Sequence, residues 1–182
     1  MPAGGPARWG FHRLSDQWAR RLVASACVGR GELVLDIGAG SGAITAPLVD
    51  AGARVVAFEL HDGRARLLRK RFAGAPVTVV QVDAADIRLP RRPFRVVANP
   101  PFGVSTALLR RLLAPGSRLL TADLVLPLHV ARRWTSASAP GRGRWSRSFD
   151  AFVPMRLPPA AFCPPPPMDV VVLRVRQLSR AR

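Results

Sequence analysis

The sequence has no tyrosine, a single lysine (Lys70), two cysteines and 11 acidic residues. Cys27 and Cys163 lie far apart and match no metal-ligand spacing, so no metal site is expected and both read as reduced core or pocket residues. No apolar run approaches the ~18 residues of a membrane-spanning helix. The opening Met1-Pro2-Ala3-Gly4-Gly5-Pro6 has no apolar stretch of the secretory kind. A cytoplasmic location without a membrane partner is therefore expected. Against the few acids stand 28 basic residues, for a net charge of +17 and a pI of about 12.0. Such a balance points to a polyanionic partner, RNA or DNA first. Arginine-rich codon bias is the plainer source of the same excess.

What is present alternates between strand and helix patterns. Helices are predicted over 14–27, 62–73, 104–114 and from 129 to 134, with a short one through Ile44, Leu48 and Val49. Strands are predicted over 32–37, 54–59, 77–81, 94–98 and 119–126. That alternation implies an α/β fold with a doubly wound, mostly parallel sheet. Two further strand-like runs, 149–157 and 168–176, have no helix between them and read as an antiparallel C-terminal hairpin, for seven strands in all. The Ser/Ala/Gly/Arg-rich stretch 135–148 reads as an exposed loop, and no internal repeat is visible. Residues 14–178 are expected to form one catalytic domain behind a leading segment 1–13.

Asp36-Ile37-Gly38-Ala39-Gly40-Ser41-Gly42 leaves the first long strand and enters a helix. Gly38, Gly40 and Gly42 allow close backbone approach to a ligand at a helix N-terminus. The spacing is Gly-x-Gly-x-Gly, neither the dinucleotide fingerprint nor a phosphate loop. It suits an adenosyl ligand whose charged amino-acid end lies beside Asp36. Glu59 ends the next strand, where a carboxylate can accept ribose hydroxyls. Asp83 and Asp86 follow the third, where a carboxylate can accept the adenine amine and Ile87 can pack on its ring. These positions point to S-adenosylmethionine as cofactor.

Asn99-Pro100-Pro101-Phe102 follows the apolar run 94–98. An Asn carboxamide oxygen and a carbonyl next to a proline are two acceptors for one planar amine. The ring of Phe102 offers a stacking face, worth ~1–3 kcal/mol for a base.

Together these segments resemble the class I S-adenosylmethionine-dependent methyltransferases. More narrowly, they resemble the Erm family of ribosomal RNA adenine N6-methyltransferases, with the KsgA/Dim family as kin. The resemblance also takes in Gly10-Phe11-His12-Arg13-Leu14, Phe58-Glu59-Leu60 and 162–170. It implies donor contacts from His12, Leu14, Leu60 and Asn99, and a target-base pocket lined by Phe162. It implies an adenine of 23S rRNA, free or in a 50S assembly intermediate, as substrate, with resistance to macrolide, lincosamide and streptogramin B drugs as outcome. The family's small helical C-terminal domain is expected to be missing, and no obligate protein partner is evident. Where the family usually reads Gln-Asn/His-Phe, this sequence has Gly10-Phe11-His12, and where Asn-Ile-Pro-Tyr is commoner it has Asn-Pro-Pro-Phe.

Asn99 and the Pro100 carbonyl are expected to hold adenine N6 between Phe102 and Phe162. RNA is expected to meet Arg110, Arg111, Arg133, Arg142, Arg144, Trp145 and Arg147, with the basic helix around Arg64 to Arg71 as a further face. The glycine-interleaved Arg/Trp loop suits single-stranded RNA. Other readings of the same residues are methylation of a protein amino or amide group, DNA adenine methylation, and a non-catalytic RNA-binding fold.

Overall fold

The structure is a computed structural model and describes residues 12–178. Residues 1–11 of the leading segment, Gly10 and Phe11 among them, lie outside the described residues.

Among the described residues, nine strands and six α-helices follow one another: β1 (Arg13–Leu14), α1 (Asp16–Ala26), β2 (Leu33–Ile37), α2 (Thr45–Asp50), β3 (Arg54–Glu59), α3 (Asp62–Arg71), β4 (Val77–Gln81), β5 (Phe94–Ala98), α4 (Ser105–Leu112), β6 (Leu119–Pro127), α5 (Leu128–Thr135), α6 (Arg142–Trp145), β7 (Phe149–Leu157), β8 (Phe162–Cys163) and β9 (Val170–Gln177). The main sheet has seven strands in the order β4-β3-β2-β5-β6-β9-β7. The first five are parallel, and β9 and β7 are antiparallel, as expected of a class I methyltransferase fold.

Every residue of β2 is buried, because helices cover both faces of the parallel strands. Alternate side chains go to opposite faces. Leu35, Ile37, Val96 and Ala98 join the layer of α4 through Leu108, Leu109 and Leu112. Val34, Val55, Val97 and Val125 join the layer of α1 through Ala19, Leu22 and Val23. Burying two layers on one sheet fixes the strand order and sets β2 at its switch point. There the chain winds one way toward β4 and the other toward β7, and a crevice opens at the strand C-termini.

Three features differ from the sequence expectation. Cys27 and Cys163, expected in a core or pocket, are both exposed free thiols. Residues Arg13–Leu14 pair antiparallel with Phe162–Cys163 in a separate two-stranded sheet. These segments are too short to show periodicity, and only long-range pairing makes them strands. The stretch expected to be an exposed loop contains α6, with Trp145 buried against Trp134 at a ring distance of 6.2 Å. The indole Nε1 donates to the Pro140 carbonyl at 2.9 Å, so its polar edge is satisfied locally. The edge strand β7 shifts register between Phe152 and Met155. Pro154 sits in that shift, where a residue without an N–H is tolerated.

Candidate active site

Three strand ends build the site. β2 turns through Gly38, β3 ends at Glu59, and β5 runs into Asn99-Pro100-Pro101-Phe102. The cleft between them is lined by His12, Gly38, Phe58, Glu59, Leu60, Asp83, Asn99, Pro100 and Phe102 among others. A smaller adjoining cavity lies against Arg13, Leu14, Asp36, Gly38, Ser41 and Asn99.

Asp36 is 1% exposed. Its Oδ2 accepts the Thr45 hydroxyl at 2.6 Å, while Oδ1 is buried with no hydrogen-bond partner. Burial pushes its carboxyl up to about 7, with the nearby Glu59 charge adding to the shift and the bonds from Thr45 opposing it. A buried carboxylate oxygen without a donor is an incomplete ion site. A ligand ammonium would complete it.

The three glycines have different tasks. Gly38, at φ +78°, lines the cleft, and a Cβ there would meet Pro101 Cδ at 3.1 Å. Gly40 donates its N–H to Glu59 Oε2 at 2.8 Å. Gly42 is buried away from the cleft, and a Cβ there would lie 2.7 Å from the Phe72 ring. Gly42 therefore serves the packing of α3 rather than close approach to a ligand.

Glu59 is 4% exposed. Its Oε1 accepts the His61 N–H at 2.8 Å and both Nε and Nη2 of Arg64 at 3.0 and 2.9 Å. Among the described residues, the hydrogen bond that engages Oε2 is the one from the Gly40 N–H, which leaves a lone pair for a ligand hydroxyl. The expectation of two ribose bonds thus narrows to one ready acceptor, with Oε1 held by Arg64.

Asn99 Nδ2 donates to the His12 carbonyl at 2.7 Å. Among the described residues no hydrogen bond engages Asn99 Oδ1 or the Pro100 carbonyl. The Pro100 carbonyl precedes another proline and stands unpaired beside the cleft. His12 also stacks on Phe102 with ring centroids 5.8 Å apart and planes at 24°. Its Nδ1 lies 3.1 Å from the Pro164 carbonyl, which accepts its hydrogen. His12 thus ties three distant segments together, a role that only the folded chain reveals.

Several predicted positions move. Phe162 is 5% exposed and belongs to the core around Leu14, Leu22 and Val170, so it does not line the cleft. Its pairing opposite Leu14 turns it inward. Ile87 is equally buried in the other core layer, and Asp86 is exposed outside the cleft. Asp83, which accepts the Ala85 N–H at 2.8 Å, and Ala84 line the cleft instead. Leu14 touches only the small cavity and is otherwise core. Leu60, Gly38, Glu59 and Asn99 stand on the wall, as expected from their places after strand ends.

The predicted RNA residues do not converge on the cleft. Phe149 pairs with Gln177, and Phe94 with Leu119, which sets the segments before them at the end of the sheet opposite Asn99. Arg142 donates to the Ser136 carbonyl and lies over Trp145, and Arg147 donates to the Gly143 carbonyl. Arg111 donates to the Ala85 carbonyl. Trp145 is core and offers no stacking face. On α3, Arg66 pairs with Asp62, and Arg71 donates to the Ser41 carbonyl at 2.6 Å. Arg133 is exposed in the last turn of α5. Among the described residues no group of side chains could hold a metal ion, and no helix is long and apolar enough to cross a membrane.

Residues 8–180 match the family described as ribosomal RNA adenine dimethylase. The ribosomal RNA small subunit methyltransferase A of Geobacter sulfurreducens is 35% identical over 89% of this chain and 63% of its own length. An rRNA adenine N-6-methyltransferase of Corynebacterium diphtheriae is 36% identical over 80% of this chain and 58% of its own. The chain therefore spans about three fifths of these relatives. Among solved structures, the 23S rRNA methyltransferase ErmE superposes with a TM-score of 0.78 at 29% identity, over 93% of this chain and 70% of that one. A dimethyladenosine transferase from Plasmodium falciparum shares the fold, with a TM-score of 0.79 at 21% identity over 92% of this chain and 64% of its own. The cleft at the switch point, the Asn-Pro-Pro-Phe turn and a match over nearly the whole sequence agree, and the chain belongs to the ribosomal RNA adenine dimethylase family of S-adenosylmethionine-dependent methyltransferases.

Proposed function

We propose that this chain methylates N6 of an adenine in 23S rRNA at the site where macrolide, lincosamide and streptogramin B antibiotics bind, and so confers resistance to them. The observation that carries the chemistry is the set of two open acceptors at Asn99. With Nδ2 committed to the His12 carbonyl, the carboxamide has Oδ1 left for the cleft, next to the unpaired Pro100 carbonyl.

The donor site fits S-adenosylmethionine through the orphaned Asp36 Oδ1, which suits its ammonium, and the open lone pair of Glu59 Oε2, which suits a ribose hydroxyl. Bound there, the donor supplies an electrophilic methyl group. Asn99 Oδ1 and the Pro100 carbonyl accept the two N6 hydrogens and turn the amine lone pair out of conjugation. Phe102, steadied by His12, stacks on the unstacked base, whose extrusion costs a few kcal/mol. The residues act by orientation and electrostatics, and the methylated amine sheds one proton to solvent. Asp83, on the cleft lining, would hold the donor's adenine amine.

The 23S target is supported by the motif resemblance and by the likeness to ErmE. The small-subunit relatives favour a second reading, in which 16S rRNA is the substrate. Labelled S-adenosylmethionine offered with 23S rRNA, 50S, 30S, duplex DNA and a basic protein separates them. Label in 23S rRNA with a reverse-transcription stop at a drug-site adenine is expected. Label only in 30S or only in protein refutes the proposal.

A further inference from the structure

At the opposite end of the sheet from the cleft, two adjoining depressions share Leu113, Ala114, Pro115, Arg144 and Trp145. Arg110 borders one and Arg118 the other. The side chains of Arg110, Arg118 and Arg144 are exposed, and no hydrogen bond or ion pair to a described residue engages them. None of the residues lining either depression is acidic. Asp150, just inside β7, already pairs with Arg176 at 3.5 Å.

The floor is rigid. Trp145 is buried on Trp134, and its backbone N–H and that of Arg144 both bond the Gly141 carbonyl, at 3.3 and 3.0 Å. This preorganises the backbone that carries Arg144. Three unpaired guanidinium groups around an apolar floor match a phosphate backbone, which guanidinium binds in a bidentate fork.

Its position matters more than its charge. Asn99 follows Ala98, which pairs with Leu124, whereas the groove residues precede Leu119 on the same strand β6. At ~3.3 Å per strand residue, the groove lies about 20 Å along the sheet from the acceptor pair.

We infer that this groove is a second RNA site, binding the phosphate backbone of a segment remote from the target adenine. The inference rests on RNA being the substrate. It adds that the domain grips RNA at two places, so that substrates long enough to span the sheet bind by both.

The test compares a short hairpin carrying only the target loop with a long 23S fragment that includes the flanking helices. Binding of each, without donor, is titrated against salt. The wild-type chain is expected to show a steeper log K against log salt slope for the long fragment. The triple variant Arg110→Ala, Arg118→Ala, Arg144→Ala is expected to lose ~2 units of that slope, at ~0.7–0.9 per phosphate contact, and to fall to the hairpin's slope. Lysine at the same three positions is expected to restore most of it. Equal slopes for both RNAs in the wild type, or equal loss on both in the variant, overturn the inference. Competition by poly-glutamate as strong as by the long RNA also overturns it and points to an acidic protein. Failure of the wild type to methylate either RNA would sink the functional proposal while leaving this binding comparison readable.

Discussion

The amide nitrogen of Asn99 is bonded to the backbone carbonyl of His12 at 2.7 Å, across 87 residues of chain. A carboxamide rotated by half a turn would present a donor to an amine and repel it. This bond removes that choice before substrate arrives. The His12 ring, pinned between Phe102 and the Pro164 carbonyl, holds the carbonyl in place.

Replacing His12 by alanine keeps the carbonyl but frees the segment that carries it. Asn99 then samples both orientations. We expect kcat to fall by about tenfold, the scale of ~1.4 kcal/mol, with KM for the donor little changed. His12→Phe, which keeps the stack and loses the Pro164 bond, should lie between. Steady-state kinetics on both variants checks this, and a pure KM effect would place His12 on the donor instead.

Asp36 sets a pH dependence. Its carboxyl, ordinarily near 3.8, is pushed up to about 7 by burial. The folded state therefore holds a proton that the unfolded state has released, and stability from this group is lost as pH rises from about 4 through about 7. A bound ammonium favours the charged carboxylate. Donor affinity should then rise with pH through the same region, with proton release on binding. Calorimetric titration in buffers of different ionisation heat reads both. Asp36→Asn should weaken donor binding and flatten its pH profile.

Phe162 and Trp145 report on stability rather than on RNA. Each is 5% exposed in a core layer. Truncation to alanine should cost about 3–5 kcal/mol in chemical denaturation. Phe162→Leu, which keeps most of the volume, should retain near wild-type kcat. A large kcat loss in a stably folded Phe162→Leu protein would return that ring to the base pocket.

Gly42→Ala brings a methyl to 2.7 Å from the Phe72 ring at a backbone φ of +85°. We expect a loss of at least ~1–2 kcal/mol from the left-handed conformation alone. Phe72→Ala in the same chain should relieve only the steric part. Thermal melts of the single and double variants measure the split.

The main elements were legible in the sequence because their signals are local. Apolar runs at 33–37, 54–59 and 94–98 mark buried strands, and the residues just after them, Gly38, Leu60 and Asn99, fall on the cleft wall as their positions imply. Long-range pairing was not legible. Nothing near Phe162 says that it will lie opposite Leu14 and turn inward, nor that Asp83 rather than Asp86 will meet the cleft. Nor does the composition of 135–148, rich in Gly, Ser and Arg, reveal a helix seated on Trp134. The arginines were visible as charge, but their place at the far end of the sheet depends on the direction of β7, which only the hairpin's register settles.

The central claim is that Asn99 Oδ1 and the Pro100 carbonyl hold adenine N6. Its most direct test is to incubate 23S rRNA with labelled S-adenosylmethionine and the wild-type or Asn99→Ala chain, digest to nucleosides and locate the label. Label should elute as N6-methylated adenosine for the wild type and fall by about 10²–10³ for the variant, the cost of losing one preorganised polar contact, while donor affinity stays within a few-fold. Label on any other nucleoside, or undiminished transfer by Asn99→Ala, would contradict it.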